Sequence, residues 1–246
     1  RSARPLFFLD YLAAGRLDPE PLTELMEGMV AACQQAGCAL LGGETAEMPG
    51  VLATSHLELA GFAVGLVDPP LTPRLGELAA GDQVLALPAS GVHANGLSLA
   101  RRALERAGLA LDAQPPGLAQ SLGETLLTPT PIYVSEVLDA LRRGAGEVHA
   151  AAHITGGGLL GRARKLLREG LALRLWPDSF VQPPIFGIIA QAGEISAPEM
   201  ASTFNMGLGF LLCASAAGAE RILAAPQTRW QRVGEIVEGA MGVDLG

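Results

Sequence analysis

Between residues 42 and 50 the chain reads Gly-Gly-Glu-Thr-Ala-Glu-Met-Pro-Gly, directly after the apolar run Ala39 to Leu41. Glu44 and Glu47 offer carboxylates and Thr45 a hydroxyl. Hard cations prefer such oxygen ligands. Glycines let backbone N–H groups approach a ligand closely. The stretch therefore reads as a loop after a short strand, whose carboxylate and hydroxyl groups suit Mg²⁺ at a nucleotide phosphate. The same residues also suit a polar turn that only reverses the chain, because isolated glycine patterns are weak signals.

Three further stretches carry chemistry. Ser90-Gly-Val-His-Ala-Asn-Gly-Leu-Ser-Leu-Ala-Arg, residues 90–101, places His93 and Asn95 on a loop entering a helix, with Ser98 and Arg101 in the first turns. A helix N-terminus favours anions, and an arginine there can grip a phosphate with two hydrogen bonds. His93 can serve as acid, base or hydrogen-bond donor; the plainer reading is a surface histidine beside an Asn-Gly turn. His153-Ile-Thr-Gly-Gly-Gly sets Thr155, Gly156, Gly157 and Gly158 between a strand and a helix, a phosphate-cradle pattern. It is neither a Walker sequence nor GxGxxG, and tight packing against a neighbour would explain it equally. Thr203-Phe-Asn-Met-Gly either aims the Asn205 amide at a ligand, or uses Phe204 and Met206 as core with Asn205 as a turn residue. His149 reads as a plain strand residue.

The elements that position these residues follow from hydrophobic periodicity. Pro5 to Asp10 reads as a buried strand that needs partners on both sides. Asp18-Pro19 opens a helix whose apolar positions run from Leu22 to Cys33, and Gly37 ends it as a C-cap. Leu57 to Val67 is a strand, and Asp68-Pro69-Pro70 with Pro73 is the linker to a second unit. There, strands are predicted at Gln83–Leu87, Val148–Ala152, Leu171–Leu175, Leu208–Ala214 and Arg232–Val237. Helices follow Asn95, Thr130-Pro131 (as N-cap and first helical residue) and Thr155, and one carries Ile222-Leu223. Strands and helices mix without strict alternation, which predicts an α+β fold. Two domains are expected, residues 1–67 and 68–246.

Bulk properties set limits. The 246 residues carry a formal net charge of -8, which gives no bulk attraction to nucleic acid or anionic lipid. No apolar run approaches the ~18 residues of a membrane span. Cys33, Cys38 and Cys213 show no metal-like pairing with histidines, and so sparse a set fits a reducing cytosol and a cytoplasmic protein. The chain starts at Arg1 on what already reads as mid-domain structure, so sequence upstream is expected to be missing.

Together, GGETAEMPG, SGVHANGLSLARR, LTPTPIYV, AHITGGG and FNMG, in this order and spacing, resemble phosphoribosylformylglycinamidine cyclo-ligases, and PLFFLDYLAAGRLDP resembles that family's central segment. The resemblance covers essentially the whole chain. It implies a ferredoxin-like nucleotide-binding and dimerisation domain, here truncated, followed by a substrate-binding α+β domain whose sheet is covered by helices. It also implies ATP and Mg²⁺ as cofactors, formylglycinamidine ribonucleotide as substrate, and a homodimer. Glu44 and Thr45 would sit at the Mg²⁺–phosphate cluster and Glu47 would orient their loop. His93 and Asn95 would be catalytic, facing the substrate or the transferred phosphoryl group with Arg101 and Ser98. Thr155 and Gly156 to Gly158 would hold the ribose phosphate, and Asn205 would line the same cleft. The family's Gly-Thr-Asp-Gly and Asn-Asp stretches lie upstream of Arg1, and Pro131 stands where the family usually has arginine. Two alternatives stay open: another ATP-using relative such as a selenophosphate synthetase, or a non-catalytic binding module.

Overall fold

The computed structural model describes residues 2–245, a mixed α/β protein with two sheets. The chain divides into two compact units: Arg1–Thr72 with Ile132–Asp139, and Pro73–Pro131 with Ala140–Gly246.

In the first unit, β1 (Ala3–Ala14) is the middle strand, flanked by β2 (Ala39–Glu47) and β3 (Leu57–Val67). β1 runs parallel to β2 and antiparallel to β3. Helix α1 (Pro19–Ala36) makes the crossover that a parallel pair requires. It begins and ends where its sequence says it should. The Asp18 side chain accepts the Glu20 N–H at 3.4 Å, Pro19 supplies a preset φ, and Gly37 closes the helix in the left-handed region at φ 69°. Two expectations need correcting. β1 is longer than Pro5–Asp10, and only its far end, Leu12 to Ala14, is deeply buried. Gly42 to Glu47 is not a loop. It continues β2, in register with Leu9 to Ala14 of β1.

The second unit is built on six strands in the order β5-β7-β4-β8-β6-β9. They are β4 (Gln83–Pro88), β5 (Val148–His153), β6 (Leu171–Leu175), β7 (Leu208–Ala214), β8 (Gln231–Glu238) and β9 (Val243–Asp244). Leu85 and Leu87 are as buried as Val84 and Ala86 on β4, so both faces of this central strand are covered. One core joins the sheet to α5 (Gly158–Arg164) through Leu159 and Ala163 against Leu211 and Val233. Another joins α2 (Leu97–Arg106), α3 (Leu122–Leu126), α6 (Pro184–Gly193) and α7 (Ala197–Thr203) through Leu104, Leu122, Phe186, Met200 and Phe204. Helix α8 (Ala216–Leu223) carries Ile222 into burial. Helix α4 spans Val134–Gly144 and starts later than Thr130-Pro131 predicts. Prolines on both sides keep Thr130 from helical geometry, and the Pro129 carbonyl accepts the Ser90 hydroxyl at 2.7 Å.

Candidate active site

Strand direction explains which loops meet. β7 lies between β4 and β5 and runs antiparallel to both. The C-terminal ends of β4 and β5 and the N-terminal end of β7 therefore share one end of the sheet. Three of the sequence-predicted stretches leave from there: the loop with His93 and Asn95 after β4, the Thr155 to Gly158 loop after β5, and Phe204 to Gly207 before β7. Backbone hydrogen bonds stitch them together. Ala89 N–H donates to the Gly207 carbonyl at 2.8 Å, Ile154 N–H to that of Gly209 at 2.9 Å, and Leu159 N–H to that of Phe204 at 2.9 Å.

Asn205 is the clamp of this assembly. It is 4% exposed, its amide nitrogen donates to the Gly91 carbonyl at 2.8 Å, and its oxygen accepts the Gly207 N–H at 2.8 Å. A side chain with both ends engaged inside the protein holds the β4 loop against the β7 loop. The Asn205 amide is thus engaged at both ends within the protein, which suits its role as a turn residue. Phe204 is fully buried and touches Phe186, which matches the core reading of its stretch.

His93 is buried at 4% exposure and sits in the left-handed region, φ 61°, which is uncommon for a non-glycine residue. Its Nε2 accepts the Ser90 N–H at 3.2 Å. A backbone N–H can only donate, so the neutral ring carries its hydrogen on Nδ1. Burial, and second the neighbouring His153, push its pKa down to about 4. Burial lowers His153 as well, helped by Arg162. The two rings lie 6.5 Å apart, and His153 stacks on Phe210 at 6.2 Å. At neutral pH the site therefore holds two uncharged imidazoles. His93 is suited to hydrogen bonding rather than to donating a proton from an imidazolium, and it is not the surface residue of the plainer reading.

The glycine loop divides by position. Gly158 has φ 61°, and a side chain there would run into the backbone of Ala201 to Thr203. This glycine is explained by packing. Gly156 and Gly157 are exposed, and a side chain at Gly156 would meet the Asn95 side-chain oxygen at 3.6 Å. Arg162, six residues on, reaches back so that its Nε donates to the Gly156 carbonyl at 2.9 Å. Arg162 does not stand out in the sequence, and His153 heads the glycine stretch without a role of its own there. The only signal is an arginine in the second turn of the helix that the loop opens. Ser98 and Arg101 lie on the exposed face of α2, in a shallow depression shared with Arg102 and Glu105. No hydrogen bond joins either of their side chains to the three loops among those described.

Glu44, Thr45 and Glu47 belong to the first unit. As strand residues they alternate, so Glu44 points to one face of β2, and Thr45 and Glu47 to the other. A single ligand cluster of all three is excluded. Glu47 Oε1 accepts the Leu17 N–H at 2.9 Å and holds the turn into α1. Gly43 is needed because any side chain there would collide with Asp10 on β1. Glu44 is exposed, and one exposed carboxylate fits the one or two that Mg²⁺ takes beside nucleotide phosphates. Among the described residues no three His, Cys, Asp or Glu side chains are gathered for a metal ion. His149, whose Nδ1 lies 2.7 Å from Asp82, is a buried structural partner as its sequence context suggests.

The sequence model described as "AIR synthase related protein, C-terminal domain" matches residues 79–245, and that of the N-terminal domain matches residues 1–67. The chain belongs to the phosphoribosylformylglycinamidine cyclo-ligase family. A relative of that name from Gloeothece citriformis is 45% identical over 99% of this chain and 73% of its own length. The chloroplastic/mitochondrial relative from Vigna unguiculata is 44% identical over 96% of this chain, which spans only 61% of it. In fold, the chain is similar to thiamine-monophosphate kinase from Stenotrophomonas maltophilia K279a. The TM-score is 0.67 at 22% identity, covering 99% of this chain and 72% of that one.

Proposed function

We propose that this chain serves the ATP-dependent closure of formylglycinamidine ribonucleotide to 5-aminoimidazole ribonucleotide in purine biosynthesis. The observation that carries this reading is 44–45% identity to cyclo-ligases over nearly the whole chain. The three loops gathered at one end of the second sheet agree with it. In this reading ATP phosphorylates the formyl amide oxygen, the amidine nitrogen attacks the activated carbon, and phosphate leaves as the ring closes. The protein's part is to position groups and stabilise charge.

The residues take these parts under the proposal. Thr155 and the exposed backbone of Gly156 and Gly157 receive the ribose phosphate. Arg162 turns the Gly156 carbonyl toward itself and away from the anion. Asn95, beside Gly156, and neutral His93 offer hydrogen bonds to the reacting amide without a titrating charge. Arg101 and Ser98 meet the more exposed part of the substrate. Bound Mg²⁺ would neutralise phosphate charge, with Glu44 as a carboxylate to hold it and Thr45 nearby on the strand. The first unit, with its strand–helix–strand order, is taken as a piece of a ferredoxin-like ATP-binding and dimer-forming domain. The proposed division is residues 1–67 and 68–246, in a cytoplasmic homodimer.

The test is ADP release with and without formylglycinamidine ribonucleotide. Release that depends on this substrate, and is lost in a folded Glu44→Gln variant, supports the reading. Substrate-independent release by the folded protein overturns the substrate assignment. Turnover at the wild-type rate in Glu44→Gln removes the metal role.

A further inference from the structure

The end of α1 holds two cysteines together. Cys33 is the last buried residue of the helix, and Cys38 follows the Gly37 cap. Cys38 N–H donates to the Cys33 carbonyl at 3.0 Å, and the Gly37 N–H donates to that of Gln34 at 3.1 Å. This paired closure of a helix end brings the side chains on either side of the cap into contact. The Cys38-to-Cys33 hydrogen bond also keeps the two Cα atoms within about 7 Å, close to the upper limit for a disulfide. The Cys33 thiol is held protonated first by burial and then by the neighbouring Cys38 thiol. Cys33 is 7% exposed and Cys38 is half-buried, so an outside reagent meets Cys38 first. Cys213 is fully buried in the other unit, and its thiol is pushed up by burial and by Asp82.

We propose that Cys33 and Cys38 form a reversible intramolecular disulfide on exposure to a low-molecular-weight disulfide. The Cys38 thiolate attacks one sulfur of glutathione disulfide. That S–S bond breaks, and one glutathione leaves as its thiolate and takes up a proton. Cys33 then loses its proton and attacks the Cys38 sulfur of the mixed disulfide, expelling the second glutathione. Two protein thiols are oxidised to one disulfide, and one glutathione disulfide is reduced to two thiols. Attack by a thiol held across the same backbone-closed helix end outruns a second encounter with glutathione, so the adduct does not accumulate. The bond ties the end of α1 to the residue preceding β2, the strand that bears Glu44, and makes this turn a redox-sensitive joint.

The pair lies in one tryptic peptide, residues 17–74, and Cys213 lies outside it. The native chain is treated with glutathione disulfide, the remaining thiols are capped, and the peptides are weighed. The expected product is peptide 17–74 lighter by two hydrogens, uncapped, and restored by dithiothreitol. Folded Cys33→Ser should instead keep one glutathione on Cys38, and folded Cys38→Ser should take up none at Cys33. Two outcomes overturn the proposal. One is wild-type peptide 17–74 recovered with both thiols capped. The other is a stable glutathione adduct on wild-type Cys38. The wild-type result needs no variant to fold.

Discussion

His93 shows how one side chain can tie folding to pH. Its pKa falls from about 6.5 in the unfolded chain to about 4 in the folded one. Between those values the unfolded state binds the extra proton, so stability rises with pH across this window. The contribution is complete above about pH 6.5, declines as pH falls, and is gone below about 4; its ceiling is roughly 3 kcal/mol. His93→Asn keeps a residue that tolerates the left-handed region but removes the titration. Urea midpoints at pH 7 and 4.5 should therefore differ less in His93→Asn than in the wild type. An unchanged difference would show that the acid sensitivity lies elsewhere. Asn205 makes the companion prediction. Asn205→Ala strands a buried carbonyl at Gly91 and a buried N–H at Gly207, and should cost about 2–4 kcal/mol in urea unfolding. Asn205→Asp keeps the acceptor for Gly207 but sets a buried carboxylate oxygen against the Gly91 carbonyl, so at pH 7 it should cost at least as much as Asn205→Ala. The sequence singled out both residues without showing which groups they would meet. His93 was legible as a loop residue, but nothing local encodes that its Nε2 would meet the Ser90 N–H. Asn205 looks like any turn asparagine until Gly91, 114 residues away, is brought beside it.

At the scale of elements, legibility followed self-sufficiency. β3, β6 and β7 fall at the predicted residues because each is a mostly apolar run, broken at most by one charged residue. Helix α1 was readable from its own caps. β2 was not, since Gly-Gly-Glu-Thr-Ala-Glu carries no strand signal of its own. β1 supplies the pairing that keeps it extended, and Gly43 is the residue that lets Asp10 come close. Helices α3, α6 and α7 were passed over, although Ser121 with Glu124 forms a capping box at the first. The glycine loop offers an internal comparison within α5. Gly158 combines φ 61° with a neighbouring carbonyl of Ala201 only 2.5 Å from where a side chain would begin. Gly158→Ala should cost about 2–4 kcal/mol, from the unfavourable backbone region and the collision together. Gly161, three residues further on, has nothing within 4 Å. Gly161→Ala should be neutral or stabilise by up to about 1 kcal/mol, because alanine loses less freedom than glycine in a helix. Equal effects of the two changes in thermal unfolding would remove the packing account of Gly158.

The whole molecule pairs two units of different character. The second buries its central strand on both faces, whereas the first leaves much of a three-stranded sheet open. Leu41, Phe62 and Leu66 are 64%, 65% and 59% exposed, and they lie on β2 and β3, the two edge strands. Unpaired strand edges beside exposed apolar side chains favour pairing with another chain over lasting contact with water. The formal net charge of -8 opposes association only over long range and is screened at physiological salt. Sedimentation velocity should accordingly show a species larger than one chain that grows with protein concentration. Placing a carboxylate on the edge strand β3 desolvates a charge in any such contact. Phe62→Asp should thus move the boundary toward the monomer, and the shift should persist in high salt. Leu127 is more exposed still, at 81%, and belongs to the second unit. Leu127→Asp controls for added charge alone and should leave the profile unchanged. If Phe62→Asp sediments like the wild type while Leu127→Asp becomes monomeric, the association belongs to the second unit and the open sheet is not its cause.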